Sequence, residues 1–570
     1  MSGKKFDYYV SYLDIWHDTF EVQNYSTKEI RKYSIQEFKE FFNTLDNNTI
    51  IFQNDLNIVA HMIPDGDISG KKKSKDGESY EILSYSFDKV KFKSFTSLCP
   101  SDQDAKSLMA MYQAKSHTDS MVKHLEYLNR MNGKKGIQGL RSTICGQAVQ
   151  IFYKDIKADL WQWKKDNKVY INTLNEYNLL HAGCKCGILK DVKEYTRFGK
   201  TVEFDLSAAY CGAFVQSDKF PIGKPRFTNN PKEFVDALNH GENAKVIFNK
   251  RVPEIDEATK VLDLDLFDDF NGVLALEYYD LKLLSELGVN IVSLIKKYRN
   301  NVDTFITYDE TGRIHKLVRD KIVELQKRKE RYAKGTPARS IVKCQMEFIY
   351  GKAIQKREYW TTDEDVVNHY KGRGENYILP HMSNHASAYV RYQIFKAIQA
   401  LGGDVFYFDT DGIKVADNDR TWDYFAEENA RLLELNMESG YNTNIGLWKP
   451  EEFDEMLLLR SKMYVTVSGE DISYVIAGWE KESIFALNAE FNENGVKTPS
   501  EKLTHIQTHL LPMVRKEIFI IGDHIEFDYS RRSGRLTYRK DARRWHVKRN
   551  RCPFRTALTR KRESLIVQFY

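Results

Sequence analysis

The sequence predicts a multidomain protein of mixed α/β and α+β class, and three observations carry that reading. The chain has 570 residues, a length that corresponds to roughly three to four domains or subdomains at about 150 residues each. Its composition, 42% hydrophobic, 13% aromatic and 29% charged, is that of a globular chain able to bury a sizeable core. Strand-like and helix-like patterns alternate along it, and no internal repeat interrupts them.

The elements follow in order. "YSIQEFKEFFNTLDNN" sets Ile35, Phe38, Phe41, Phe42 and Leu45 at helical spacing, and "TIIFQNDLNIVAHMI" reads as a buried strand followed by a helix start. "ISGKKKSKDGESYEI" is a polar loop or hairpin with turns expected at Gly70 and Gly77. Residues 1 to about 180 therefore form an α/β region, and 181–204, irregular and containing Gly and Cys, form a connector. From Asp320 to Lys352 helical periodicity resumes, is broken near Gly335-Thr336-Pro337, and continues in a second helix from about Ala338 to Ile349.

Seven cysteines, at 99, 145, 184, 186, 211, 344 and 552, are few and odd in number, which implies reduced thiols and an intracellular setting. Cys184 and Cys186 form a lone C-x-C without a second pair at zinc-finger spacing. The opening "MSGKKFDYYV" lacks the apolar stretch of a signal peptide, and no window reaches eighteen uninterrupted apolar residues. A cytoplasmic protein without membrane attachment is expected.

The net charge of +5 is unevenly spread. Between Arg531 and Arg562 stand fourteen Lys or Arg against one acid, Asp541, a local charge of +13. Tyr538, Trp545 and Phe554 are interleaved with these cations, a mixture suited to tracking a phosphate backbone while stacking on bases. A solvated basic face is the other reading. Arg543, Arg544 and Trp545 are the expected nucleic-acid contacts of this tail.

A chemical constellation lies upstream. "VEFDLSAAY" places Asp205 at the end of a hydrophobic strand, followed by small residues and Tyr210. "VFYFDTDG" reads as a strand that carries Asp409 and Asp411 on one face, since strand side chains alternate with period two. Two buried carboxylates repel and demand a positive partner. If the two strands pair, Asp205 and Asp411 converge, and such a carboxylate set suits two Mg²⁺ ions in phosphoryl transfer. On the second helix Arg339 and Lys343 lie four apart and share a face, with Tyr350 further along, presenting cations to a triphosphate and a ring to a sugar. Lys343 follows Asp205 by 138 residues, Asp409 follows Lys343 by 66, and Lys462 with Tyr464 in "RSKMYV" comes 53 residues after Asp409.

In this order the motifs resemble those of the B-family DNA polymerases, most closely the compact protein-primed branch of small tailed phages. "FDLSAAY" resembles the first palm motif, "KCQMEFIYGK" the fingers motif, "YFDTDG" the second palm motif, and "KMY" the Lys-x-Tyr motif near the thumb. "YSIQEFKEFFNTLDNNTIIFQNDLNIVAHMI" is similar to the segment holding the second exonuclease motif, and "IGLWKPEE" and "YVIAGWEKES" to segments flanking the thumb, so the resemblance spans nearly the whole chain. It implies a right-hand polymerase of palm, fingers and thumb preceded by a ribonuclease H-like exonuclease-type domain. The implied divisions are 1–180 exonuclease-like, 181–204 linker, 205–249 first palm part, 250–320 insertion for priming protein and DNA, and 321–352 fingers. A hairpin insertion at 353–380, the second palm part at 381–460, the thumb at 461–530 and the basic tail at 531–570 complete them.

The resemblance also implies roles. Asp205, Asp411 and the Leu206 carbonyl would hold two Mg²⁺, with Mn²⁺ able to substitute, and Asp409 would assist. Tyr210 would be the steric gate against a 2′-hydroxyl, and Arg339 and Lys343 would bind the triphosphate. Tyr350 and Gly351 would contact the nascent base pair, and Lys462 and Tyr464 would hold the primer end. DNA, dNTPs and a terminal priming protein are the implied partners, and the chain is expected to act as a monomer.

Departures from the family pattern are specific. Ser207-Ala208-Ala209-Tyr210-Cys211 stands where Ser-Leu-Tyr-Pro is usual, Glu347 where asparagine is expected, Gly412 where serine is usual, and "HAGCKCG" where a Tyr-x-Gly-Gly linker belongs. The exonuclease carboxylates are missing: "SYLDIWHDTFEV" has Asp14 and Asp18 but no D-x-E, Asn54 is kept while Ile58 replaces an aspartate, and Leu174 or Asn175 occupies the third aspartate position. Loss of several ligands abolishes metal binding, so the first region reads as an exonuclease fold without editing. Three functions stay open: a template-directed, protein-primed DNA polymerase, a specialised or template-independent nucleotidyltransferase, and a non-catalytic nucleic-acid-binding protein on a polymerase fold.

Overall fold

The computed structural model describes residues 7–510, apart from short stretches of which 60–66, 74–79 and 477–486 are the longest, and the strands at 518–521, 525–530 and 535–539. Its Cα positions group into two compact units: Met1–Ile151 with Lys334–Cys344 and Tyr474–Tyr570, and Phe152–Ala333 with Gln345–Ser473.

The first unit contains the strands β1 Asp7–Asp14, β2 Thr19–Asn24, β3 Ile30–Ser34, β4 Thr49–Gln53, β5 Asp67–Lys73, β6 Tyr80–Phe87 and β7 Val90–Ser94, and among its helices α1 Ile35–Asn43 and α2 His117–Met131. They form one sheet in the order β3-β2-β1-β4-β7-β6-β5. Strands β1, β4 and β7 are parallel, while β2 and β3 run antiparallel as a meander. All five residues of β4 are buried, as befits a central parallel strand covered on both faces. The helical spacing read at 35–45 is realised in α1, which starts at a Ser34–Glu37 capping box and stacks Phe38 on Phe20 at 3.9 Å. The polar segment after residue 67 is the β5–β6 hairpin; Gly70 lies inside β5 at a register irregularity, and Gly77 lies outside the described residues. Strands 518–521, 525–530 and 535–539 form a separate antiparallel sheet.

The second unit contains, in chain order, α3 Leu174–His181, β8 Ile188–Leu189, β9 Thr196–Phe198, β10 Thr201–Leu206, α4 Ala209–Gln216, β11 Pro225–Thr228, β12 Ala244–Phe248, β13 Leu274–Leu276, α5 Tyr278–Glu286, β14 Val302–Tyr308 and α6 Lys316–Arg331. Helix α7 Pro337–Ala353 crosses the division between the units. There follow α8 Asp363–Lys371, α9 Pro380–Leu401, β15 Val405–Thr410, β16 Gly412–Ala416, α10 Asp419–Glu438, β17 Trp448–Phe453, β18 Glu455–Arg460 and β19 Met463–Ser468. The helix break read at 335–337 thus separates α6 from α7. The segment 353–380, expected to hold a hairpin, carries α8 among its described residues, a helix with Asp363, Glu364 and Asp365 in its first turn.

The central sheet runs β17-β10-β16-β15-β8, antiparallel throughout. Val202, Phe204 and Leu206 of β10 point into the core, where Phe204 stacks on Phe425 of α10 at 3.8 Å. Alternation turns Glu203 and Asp205 to the opposite face. Helix α9 is buried on nearly every side, so its polar groups need internal partners. Arg391 donates bidentately to Asp280 of α5 at 2.8–3.0 Å, and Asn384 donates to the Leu180 carbonyl at 3.0 Å.

A second sheet, β11-β14-β12-β13, joins strands on both sides of residue 250. The fully buried pair Lys245–Glu277, 2.8 Å apart, ties β12 to the residue capping α5. Residues 152–181, counted with the N-terminal region in the sequence, make their long-range bonds in the second unit. Lys164 donates to the Tyr370 carbonyl, and the Leu174 N–H donates to Asp363 at 2.7 Å.

Candidate functional site

The site grows from the end of β10. Its last residues, Asp205 and Leu206, face Lys449 and Trp448 of β17, and Asp205 is opposite Gly412 of β16. The Leu206 N–H donates to the Asp411 carbonyl at 2.9 Å, which brings the two acidic segments side by side. Beyond Leu206 the chain turns sharply: Ser207 exchanges backbone bonds with Leu447 and Gly446, and Ala208 adopts φ 53° before α4 begins at Ala209.

Asp409 and Asp411 do not lie on one face of a single strand. Strand β15 ends at Thr410, which has φ 64°, and the Asp411 N–H folds back to donate to the Asp409 carbonyl at 2.8 Å. Asp409 pairs with Gly412 across this three-residue turn. Positive φ at a β-branched residue is a true outlier and stores strain. The alternation rule holds only while a strand continues, and here the hairpin reverses between the two aspartates. The turn is what places the Asp411 carbonyl against the Leu206 N–H at the end of the Asp205 strand.

Asp409 is tied into the turn. The Thr410 hydroxyl donates to it at 2.8 Å, the Tyr407 hydroxyl approaches it at 3.4 Å, and the Lys462 ammonium lies 3.2 Å away. Tyr407 also accepts the backbone N–H of Lys462 at 2.8 Å, a residue held at φ 61°. Asp411 is different in character. Burial pushes its carboxyl up to about 6, with help from the charges of Asp409, Glu347 and Glu203 and against the pull of a backbone hydrogen bond. Tyr464 has its phenol raised by burial and by the nearby carboxylates Glu203, Asp409, Glu451 and Asp205, so it stays protonated.

Tyr210 leaves the first turn of α4 to stack face to face on Tyr350, with ring centroids 3.9 Å apart and planes 6° from parallel. The Tyr350 hydroxyl is bonded to Ser387 of α9. Glu347 is exposed one turn before Tyr350 on α7 and bears electrostatically on Asp411 and on Cys211, whose thiol burial pushes up to about 12. A Cβ at Gly351 would meet open space. Arg339 and Lys343 stand at the start of α7, half-buried and exposed respectively, within the first unit.

Sequence reasoning thus finds Asp205, Leu206, Tyr210, Tyr350, Asp409, Asp411, Lys462 and Tyr464 in one compact unit. It missed the buried hydroxyl of Tyr407 as a link between two motifs, and the pair Glu203–Lys414 at 2.5 Å. A lysine inside "DGIKVA", an otherwise apolar strand, was the available signal, since a buried ammonium requires a partner.

In the first unit, the side-chain amide of Asn54 is spent on the backbone of β1: it accepts the Leu13 N–H at 2.7 Å and donates to the Leu13 carbonyl at 3.3 Å. Asp14 ends β1, and Leu174 and Asn175 open α3 in the second unit. Asp18, Ile58, Cys184, Cys186, Arg543, Arg544 and Trp545 lie outside the described residues. Among the described residues, no three His, Cys, Asp or Glu side chains are grouped to hold a metal ion. Nor is any helix among them long and apolar enough to cross a membrane.

No protein-family model and no curated protein sequence matches the chain. Solved structures do. Phi29 DNA polymerase bound to primer-template DNA and incoming nucleotide superposes with a TM-score of 0.56 at 13% identity, covering 85% of this chain and 94% of that one. The chain shares the phi29 DNA polymerase fold. The same enzyme in an orthorhombic crystal form gives 0.55 at 13% identity, and its complex with single-stranded DNA 0.53 at 14%; each comparison covers 84% of this chain and 94% of the other.

Proposed function

We propose that this protein is a template-directed DNA polymerase of the protein-primed B-family type, with palm, fingers and thumb following an exonuclease-like domain that does not edit. The observation that carries the reading is the hairpin turn Asp409-Thr410-Asp411 bonded to the end of the Asp205 strand, in a chain whose fold is that of phi29 polymerase.

The donor set fits a divalent cation. Mg²⁺ takes one or two carboxylates and completes its shell with water and substrate phosphates, which agrees with two aspartates and no closed protein cage. Asp205, Asp411 and the Leu206 carbonyl would hold two such ions, Mn²⁺ substituting. When bound, they lower the pKa of the attacking hydroxyl and neutralise charge on the triphosphate. The chain's own groups do the rest. Lys462 and the Thr410 hydroxyl hold Asp409 still, the turn at Thr410 aims the Asp411 carboxylate, and Tyr464 with Lys462 receives the primer end. Tyr210, braced on Tyr350, closes the space that a 2′-hydroxyl would need. Arg339 and Lys343 are the proposed triphosphate cations.

The 3-2-1-4-7 order of the first sheet supports the ribonuclease H-like reading of that region, and the missing D-x-E pair and aspartates of its motifs support loss of editing. The resemblance further assigns 250–320 to contact with a terminal protein and DNA, 461–530 to the thumb, and the basic tail with Arg543, Arg544 and Trp545 to DNA; a cytoplasmic monomer completes the proposal. The test is incorporation of labelled dNTPs with Mg²⁺ or Mn²⁺, with and without primed template, beside Asp411→Asn. Template-dependent extension lost in the variant supports the reading. Label added to ends or protein without template would replace it with a template-independent nucleotidyltransferase, and no incorporation under any condition with a non-catalytic binder.

A further inference from the structure

Directly behind the Asp409-Thr410-Asp411 turn lies a charge pair that no part of the chemistry above uses. Glu203 of β10 and Lys414 of β16 are register partners on adjacent strands, and the ammonium sits 2.5 Å from the carboxylate. The Lys414 side chain is 3% exposed and that of Glu203 21%, so the ammonium is withdrawn from water and relies on the carboxylate as its ion-pair partner. The ammonium also stands 4.1 Å above the ring of Tyr464 and 5.9 Å from that of Tyr407, within cation–π range of both. Gly412 belongs to the same device. A Cβ at that position would come within 3.2 Å of the Glu203 carboxylate and 3.5 Å of the Asp205 carboxylate, so a side chain there would press on the group that holds Lys414.

We propose that Glu203 and Lys414 are a positioning pair for the primer terminus: the carboxylate fixes the ammonium, and the ammonium fixes the face of Tyr464 beside the catalytic turn. This rests on the polymerase reading, in which Tyr464 receives the primer end. Neither residue touches a reacting atom. Their effect passes through Tyr464, and so falls on the binding of primed DNA before it falls on the chemical step.

The test is steady-state incorporation by the full chain with varied primer-template, for the unsubstituted protein and for Lys414→Met, Lys414→Arg and the double variant Lys414→Met/Glu203→Gln, with thermal unfolding in parallel. The expected result for Lys414→Met is a KM for primer-template raised roughly 5- to 30-fold, the range a desolvated cation–π contact spans, with kcat changed far less. Lys414→Arg, which keeps charge and ring contact, recovers most of that loss. The double variant removes the unpaired carboxylate, so it restores folding if Lys414→Met unfolds, and it keeps the raised KM. An active protein whose folded Lys414→Met or double variant shows an unchanged KM would overturn the proposal while leaving the polymerase reading intact. A loss confined to kcat would also overturn it. Absence of templated incorporation by the unsubstituted protein would overturn both.

Discussion

Asp411→Asn separates stability from function at one carboxylate. In the folded protein the Asp411 carboxyl is pushed from the ordinary 3.8 up to about 6, mainly by burial and then by the charge of Asp409. A group whose folded pKa exceeds its unfolded value favours folding while protonated, and that contribution is lost as pH rises through the folded pKa. Below about pH 4 the carboxyl is protonated in both states and costs nothing; the cost builds between about pH 4 and pH 6 and is complete above that. At about 1.36 kcal/mol per pK unit, a shift of about two units corresponds to roughly 2–3 kcal/mol at neutral pH. The amide of asparagine carries no charge and escapes this cost. In metal-free buffer at pH 7.5, Asp411→Asn should unfold at a temperature roughly 2–5 °C above the unsubstituted protein, given the unfolding entropy of a unit this large, although it incorporates no nucleotide. At pH 4 the two should unfold together. Differential scanning calorimetry in EDTA at both pH values reads this directly. An asparagine variant no more stable at pH 7.5, or equally stabilised at both pH values, would refute the placement of Asp411 in a crowded, partly desolvated carboxylate group.

Other expectations follow from the same packing. Tyr407→Phe leaves the Lys462 N–H without its 2.8 Å acceptor; a lost buried partner costs roughly 1–3 kcal/mol, so chemical denaturation should show that destabilisation and primer extension should slow. Lys245→Met strands a fully buried Glu277 carboxylate and should cost about 3–5 kcal/mol, whereas adding Glu277→Leu should recover most of it, as measured by urea unfolding. A 3′-labelled mispaired primer incubated with Mg²⁺ and no dNTP should remain full length on a denaturing gel, and shortening of that primer would show that the first unit still edits.

Much of the site was legible because it is written locally. A strand carrying Asp205 at its end and a helix break at 335–337 are visible in the residues themselves, and the structure forms β10 and the α6–α7 break where they were read. Asp409 and Asp411 show the limit of that reading. Period-two alternation put them on one face, but the reversal at Thr410 depends on a positive φ that a threonine seldom adopts and that neighbouring strands must enforce. The Glu203–Lys414 pair was invisible for a related reason: cross-strand partners depend on register, which pairs residues 211 positions apart. Residues 152–181 illustrate the same point at larger scale, since only long-range bonds such as Lys164 to Tyr370 decide which unit they join.

The central claim is that a template selects the nucleotide this site adds. Single-nucleotide incorporation on four primer-templates that differ only in the templating base, each offered one dNTP at a time with Mg²⁺, measures that selection. The account predicts extension by the complementary dNTP in all four cases and suppression of each by Asp205→Asn. Equal addition of any dNTP regardless of template, or no addition to any of the four, would contradict it.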